Sequence, residues 1–271
     1  MTRPIVSIII ANYNYGHFLA EAIESALAQT WQPLEVIVID DGSTDDSLAL
    51  AGRYPLTVLS QPNQGVSAAR NNGAARAAGE YLFFLDADDI LLPDAIERLV
   101  MELERAGPQA GFAYGRMQYF GEKNGLFTSH AFEPSALARE NYIPACSLIR
   151  RSAFDQVGGW DRGFALREDW ELFVRLWHAG YSGAFHPEVY IRCRKHRPRA
   201  TIRGKNKQRK NLSLAKLVWL YPGFFWLQLL KHPLRFLYYV IRYKVPSLVG
   251  HYGPTLAVTI VSRPGMEEKS L

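Results

Sequence analysis

The chain has 271 residues, 48% of them apolar and 13% aromatic, enough to bury a sizeable core, which excludes a disordered chain. Two cysteines, Cys146 and Cys193, exclude a disulfide framework or a zinc knuckle and point to a reducing compartment. The net charge of +5 hides a division: residues 1–188 carry 14 Lys+Arg against 24 Asp+Glu, whereas residues 189–266 carry 16 Lys+Arg and no acid. An acidic body followed by a basic segment calls for a polyanionic partner, whether nucleic acid, anionic lipid or a phosphate-bearing substrate.

In chain order, the run Ile5 to Ala11 reads as a strand buried on both faces. It is too short for a signal peptide, so a cytoplasmic start is expected. Apolar spacing predicts a helix over 17–29, and Leu34 to Ile39 is a second strand. Ser43, followed by Thr44, Asp45 and Asp46, carries the chemistry of a helix N-cap. Leu56 to Leu59 is a short strand, Gln64 to Ala78 an Ala-rich helix with Gly79 as its C-cap, and Tyr81 to Leu85 another buried strand. Pro93 opens a helix to about Arg105. Beyond residue 110 the pattern loosens to a strand near 111–116, a loop rich in Gly, Lys and Asn, and a helix from Glu168 to His178. Alternating strands and helices imply a parallel α/β sheet with its ligands at the carboxyl ends of the strands. Each early strand does run into polar residues there: Asn12-Tyr13-Asn14, Asp40-Asp41-Gly42-Ser43 and Asp86-Ala87-Asp88-Asp89.

Three carboxylates in the four residues 86–89 repel one another unless a cation sits among them, and Mg²⁺ or Mn²⁺ takes such oxygen ligands together with phosphates. An acidic turn that caps the following helix is the plainer alternative. An acid at Asp40-Asp41 can accept hydrogen bonds from a base or sugar edge. Neither G-x-G-x-x-G after the first strand nor a P-loop is present, so phosphates would have to be neutralised in another way, as by a metal at Asp88.

The series Ser7-Ile8-Ile9-Ile10-Ala11-Asn12-Tyr13-Asn14, Asp40 to Asp45, Gly65 to Gly73 with Ala69-Arg70-Asn71, Phe84 to Asp89, Gly158-Gly159-Trp160-Asp161 and Glu168-Asp169-Trp170-Glu171-Leu172 resembles the family 2 glycosyltransferases, over roughly Pro4 to His196. The resemblance implies the GT-A fold, a mixed and mostly parallel sheet flanked by helices, with residues 1–110 as the nucleotide-binding half and 111–200 as the acceptor-binding half. It also implies a nucleotide-sugar donor, with UDP the favoured nucleotide, a divalent metal (Mn²⁺ or Mg²⁺), and inversion at the anomeric carbon. Carried over residue by residue, it gives Ala11, Tyr13, Asp41, Arg70 and Asp86 to the nucleotide: Tyr13 stacks on the base, Asp41 accepts from its edge and Asp86 touches the ribose. Asp88 and His196 are the implied metal residues, and Asp169 the catalytic base, its pKa raised by the neighbouring Glu168. The Gln-x-x-Arg-Trp signature of processive synthases is missing, which argues for transfer of one or a few sugars.

Residues 201–271 form a basic and aromatic helical extension whose aromatic uncharged run, Leu217 to Leu230, is too short and too broken by Pro222-Gly223 for the ~20 residues that span a bilayer. Its Lys/Arg flanks with Trp219, Trp226, Tyr238 and Tyr239 suggest helices on an anionic membrane surface over 192–244, suited to a lipid-linked acceptor in cell-surface polysaccharide synthesis; a helical hairpin packed on the catalytic domain is the alternative. Nucleic acid is not expected as a partner, because the strand ends are acidic. A catalytically silent sugar-nucleotide-binding or scaffold protein stays open as a second function.

Overall fold

The first apolar run forms strand β1 (Val6–Asn12) in a computed structural model that describes residues 3–164, 166–196 and 200–225, with 200–208 and 210 described by backbone alone. Next come helix α1 (Gly16–Leu27), β2 (Leu34–Asp40), α2 (Ser47–Ala51), β3 (Thr57–Ser60), α3 (Val66–Arg76), β4 (Tyr81–Asp86), β5 (Ile90–Leu91) and α4 (Ala95–Arg105). The second half holds β6 (Ala110–Gly121), β7 (Gly125–Leu126), α5 (Pro134–Leu137), β8 (Leu148–Arg150), α6 (Arg151–Gln156), α7 (Glu168–His178), β9 (Ser182–Lys195) and α8 (Ala200–Leu220). The strands make one mixed sheet in the order β3-β2-β1-β4-β8-β6-β9-β5, with β7 paired to β6. β3, β2, β1 and β4 are parallel, β8 runs against both its neighbours, and β6 lies parallel to β9.

Alternation along β1 divides the core. Ile8 and Ile10 face Leu19, Ile23, Leu99 and Val100, while Ile9 faces Ile37, Ile39, Phe84 and Trp160 on the other side of the sheet. Each such side chain contributes about 1.5–3 kcal/mol by leaving water, which is why strands covered on both faces read as unbroken apolar runs.

Two registers set up the site. Asn12 lies opposite Asp40, and Ala11 opposite Asp86, so the polar ends of β1, β2 and β4 form one rim. At the far edge Ile90 pairs with Arg192, and this brings the end of β9 to the acidic turn that follows β4.

Several expectations are corrected. Ser43 does not start a helix: its hydroxyl accepts from Asn12 Nδ2 and from the Asn14 amide, and α2 begins only at Ser47. Gly79 is not a C-cap, since α3 ends at Arg76 and Ala77 is already extended; a Cβ at Gly79 would lie 2.6 Å from Ser7 Oγ and 2.8 Å from the Ile5 carbonyl, so close backbone approach is what needs glycine there. The Gly/Lys/Asn loop is a hairpin through β7, and the fourteen-residue β9 was not anticipated.

The end of α8 packs on the domain: Leu217, Val218, Tyr221 and Phe225 are buried in the cluster that contains Trp170 and Phe173 of α7. Trp226, Tyr238, Tyr239 and the basic residues among them lie outside the described residues. No described helix is long and apolar enough to cross a membrane.

Helix α3 approaches β1 and β2 through Gly73, where a Cβ would overlap Ile9 Cγ2 and sit 3.1 Å from Ile39 Cγ1. Both isoleucines are β-branched and buried, so neither can move aside. Gly73→Ala is expected to lower the unfolding free energy by about 1–3 kcal/mol, read as a reduced urea midpoint at unchanged m.

Candidate active site

At the rim, two loops are tied into one. Asn12 Nδ2 donates to Asp40 Oδ1 and to Ser43 Oγ, both at 3.1 Å, and Asp40 Oδ2 accepts from the Ser43 amide at 3.0 Å. Asn14, in the left-handed region at φ 57°, accepts the Thr44 amide on its side-chain oxygen at 2.7 Å. Asp41 is buried and accepts from Gln61 Nε2 at 2.7 Å, Gln64 N at 2.9 Å and Gly65 N at 2.8 Å. Its first task is therefore to hold loop 61–65, which leaves about one of a carboxylate's four acceptor directions open. Gly42 makes this packing possible, since at φ +77° any Cβ would lie 2.9 Å from the Asn63 amide. Tyr13 is 47% exposed beside Asn12, and Ala11 is half-buried at the same strand end.

The acidic turn divides its labour. Asp89 is buried, with Oδ1 accepting from the Arg194 amide at 2.9 Å and Oδ2 in contact with Cys146 Sγ at 3.9 Å. Burial, then the charges of Asp86 and Asp88, push its carboxyl well up. Arg194 crosses the junction: Nε donates to the Asp88 carbonyl at 3.1 Å, Nη2 to Glu21 Oε2 at 2.9 Å, and the guanidinium covers Phe18 and Phe120. Held by this clamp, His196 brings Nε2 to 2.7 Å from Asp88 Oδ2, its ring 5.1 Å from that of Phe18. Burial and Asp86 raise the pKa of Asp88, and His196 opposes the rise.

One group of candidate ligand atoms among the described residues is Asp86, Asp89 and Cys146, all within 4.8 Å of one another. Two of these are committed elsewhere, because Asp89 binds Arg194 and burial holds the Cys146 thiol well above its ordinary value, hence protonated. The more accessible donors are the Asp86 and Asp88 carboxylates and the His196 imidazole, an oxygen-rich set with one nitrogen that fits Mn²⁺ or Mg²⁺.

Arg70 lies 3% exposed between the two ends of the site. Its Nη2 donates to Asp86 Oδ1 at 2.7 Å, its Nη1 sits 3.7 Å from Glu168 Oε1, and its guanidinium stands 4.5 Å from the centre of the Trp160 ring. The next residue fixes that ring: Asn71 Nδ2 donates to the Trp160 carbonyl and Asn71 Oδ1 accepts the Trp160 amide, each at 2.8 Å. Gly159, at φ +74°, lets Asn71 approach, since a Cβ there would lie 2.7 Å from Asn71 Oδ1. The motifs Arg70-Asn71 and Gly158-Gly159-Trp160 are thus one physical unit, a pairing that spacing alone did not disclose.

Asp169 stands in the first turn of α7, on the wall of a cavity of about 400 Å³ shared with Asn141, Leu166, Arg167 and Glu168. Its Oδ1 accepts from the Trp170 amide at 2.8 Å and its Oδ2 from Asn141 Nδ2 at 2.9 Å. Its pKa is raised, by burial first and then by Asp86, so burial does more than the adjacent carboxylate expected to cause the shift. Glu168 is likewise pushed up by burial and pulled down by Arg70. Two residues beyond Asp169, the buried Glu171 binds Arg175 through both oxygens at 2.9 and 2.7 Å and receives the Tyr221 hydroxyl at 3.2 Å, which ties α7 to the end of α8. Arg194, Asn71 and Asn141 are the site residues that sequence reasoning missed; the basic cluster and the Arg-Asn motif contained two of them without revealing their partners.

Comparison with known proteins gives this geometry a family. The model described as Glycosyl transferase family 2 matches residues 7–166. An uncharacterized glycosyltransferase of Rickettsia typhi is 29% identical over 217 residues, covering 75% of this chain and 68% of that one. Chondroitin synthase of Escherichia coli is 29% identical over 223 residues, 79% of this chain and 31% of that one. The chain thus spans about a third of the length of some relatives and about two thirds of others. Among solved structures, S. aureus TarS in complex with UDP superposes with a TM-score of 0.64 at 17% identity, over 79% of this chain and 65% of that one. Mannosyltransferase PcManGT of Pyrobaculum calidifontis, in complex with GDP-Man and Mn²⁺, gives 0.64 at 18% identity, over 93% and 76%. At such identities the likeness shows a shared fold, the GT-A fold. With more than half of its residues matched to the family model, the chain belongs to glycosyl transferase family 2.

Proposed function

We propose that the chain is a glycosyltransferase that moves a sugar from a nucleotide-diphosphate sugar, with UDP-sugars favoured, to a hydroxyl of a saccharide or lipid-linked acceptor, inverting the anomeric carbon, in the synthesis of cell-surface polysaccharide. The observation that carries this reading is a polar site with two ends, the accessible Asp88 and His196 at one and Asp169 on a cavity wall at the other, linked through Arg70. The complexes of TarS with UDP-GlcNAc and of PcManGT with GDP-Man and Mn²⁺ support a nucleotide-sugar donor.

In this reading Tyr13 stacks on the base, the free acceptor direction of Asp41 receives an N–H from the base edge, Ala11 lines the nucleotide, and Asp86, steadied by Arg70, meets the ribose. Asp88 and His196 hold the divalent ion, which when bound neutralises diphosphate charge. Asp169 Oδ2 takes the acceptor's hydroxyl proton. The bond from the acceptor oxygen to the anomeric carbon forms as the bond to the diphosphate oxygen breaks, and the electron pair leaves with the nucleotide. One displacement from the opposite face inverts the centre. Of the basic segment 192–244, residues 192–196 belong to β9 and the site, and in this proposal the part from α8 onward lies on an anionic membrane surface, a reading that suits Trp219, which is 43% exposed on α8.

A thermal-shift panel of UDP, GDP, dTDP and CDP with and without Mn²⁺ tests the donor end. One nucleotide should raise Tm only with metal, and Asp88→Ala and His196→Ala should remove that rise; a ligand at 100 times its Kd stabilises by about 2.7 kcal/mol. No shift, or one of equal size without metal, overturns the metal-dependent reading.

Asp169→Asn should cut turnover by about 10²–10⁴-fold while the nucleotide shift persists, which separates an enzyme from a silent binder. In the native protein the rate should fall as pH falls through the raised Asp169 pKa, above the ordinary ~3.9. Because the folded-state pKa is raised, the stabilisation from the neutral carboxyl is complete below the unfolded value and is lost as pH rises through the folded one. Asp169→Asn is therefore expected to raise Tm near neutral pH by about 1–3 °C, seen in the same thermal scans.

A further inference from the structure

Asn141 lies on the turn between α5 and β8, and its backbone surroundings are fixed from several sides. Ser129 Oγ donates to the Tyr142 carbonyl at 3.1 Å, the Glu133 amide donates to the Tyr142 hydroxyl at 2.8 Å, and Trp170 Nε1 donates to the Leu137 carbonyl at 2.7 Å. The last of these bonds attaches the turn to α7 one residue after Asp169. Against this frame the Asn141 amide reaches Asp169 Oδ2 at 2.9 Å, while its own oxygen, Oδ1, is buried with no hydrogen-bond partner. A buried carbonyl oxygen left unbonded costs about 1–3 kcal/mol, so the amide is held in this orientation by what its nitrogen does.

We propose that Asn141 is a positioning residue for the catalytic base, its amide nitrogen fixing the Asp169 carboxylate so that the proton-accepting oxygen faces the acceptor cavity. The proposal rests on the reading of Asp169 as the base. Asp169 has one oxygen bound to its own helix, at the Trp170 amide, and only the other is available to a substrate hydroxyl. Without Asn141, nothing among the bonded neighbours of that second oxygen fixes the rotation of the carboxylate about its last torsion, which is intrinsically soft.

The hydrogen bond also favours the ionised form. Around Asp169 stand Glu168 on its own helix, Arg70 from α3, Asp86 from the end of β4, and Arg167 on the cavity wall. Burial and the carboxylates disfavour a charge at Asp169, whereas Arg70, the Trp170 amide and Asn141 oppose them. Of the three opposing groups Asn141 is the one on a separate turn, so its removal leaves α7 and the Arg70 contacts in place.

The test is a double-mutant cycle read as Tm against pH in the full chain, with Asn141→Leu, which keeps the volume but cannot donate, and Asn141→Ala, which adds no bulk, each made alone and with Asp169→Asn. The Tm loss on removing Asn141 should be about twofold larger above the raised Asp169 pKa, where the carboxylate is ionised, than below it, and this pH dependence should vanish in the Asp169→Asn background. In turnover, followed as nucleotide release from UDP-GlcNAc, UDP-glucose or GDP-mannose with Mn²⁺, the acid limb of the rate profile should move up by about one pH unit, with the nucleotide-induced thermal shift unchanged. A Tm loss that is the same at both pH values, or that persists undiminished beside Asp169→Asn, overturns the positioning role and leaves Asn141 as a packing residue. Full turnover by Asp169→Asn overturns instead the reading of Asp169 as the base, an outcome distinct from the first.

Discussion

A guanidinium buried from water must be paired on more than one side, and Arg70 meets that requirement by drawing together three parts of the chain that sequence separates widely. Asp86 comes from the end of β4, Glu168 from the first turn of α7, and the Trp160 face from the loop between α6 and α7. Removing any one partner would leave a charge poorly compensated in a dry place. The distance between the acidic turn and the helix that bears Asp169 is therefore set by an arginine side chain, and the backbone bonds of Asn71 to Trp160 hold the third wall of its cage.

A second guanidinium does for the other edge of the sheet what Arg70 does for its centre. Three carboxylates within residues 86–89 cannot all be ionised cheaply at close range. Asp89 escapes into the interior under the Arg194 amide, and the Arg194 side chain spans the Asp88 carbonyl, Glu21 and two aromatic rings. What remains accessible is Asp88 with His196 at hydrogen-bond distance and Asp86 beside them. Asp89 is thus structural, Asp86 gives one oxygen to Arg70 and keeps the other, and Asp88 faces His196, a division that the run of letters Asp-Ala-Asp-Asp does not express.

The sequence reading succeeded where local chemistry and tertiary demand agree. β1, β2 and β4 are covered on both faces and so are written as uninterrupted β-branched and aromatic runs, and α7 occupies the same residues, Glu168–His178, that its spacing predicts. It failed where a side chain had two possible employers. Ser43 has every property of an N-cap, yet Asn12 and Asn14 claim its hydroxyl from another loop. Gly79 looked like a helix stop and is a contact with Ser7. β9 carries Pro187, Glu188 and three charged residues from Arg192 to Lys195, so no alternation marks it as a strand; its course is fixed by pairing with β6. Asn141 had no signal at all, because its importance lies in a carboxylate twenty-eight residues away.

The same reasoning ties the extension to the catalytic end. Glu171 is buried on α7 two residues beyond Asp169, and its pairing with Arg175 leaves lone pairs that Tyr221 completes from just beyond α8. Lys216 Nζ donates to the Gly163 carbonyl at 2.7 Å, on the loop that leads from Trp160 into α7, and Phe225 packs 5.6 Å from the Trp170 ring. These contacts fall on the residues flanking Asp169 and none falls on the nucleotide rim. In the proposed reading, a force that orients the described end of α8 is applied through these contacts to the side of the site that bears Asp169, and the ends of β1, β2 and β4 carry the nucleotide.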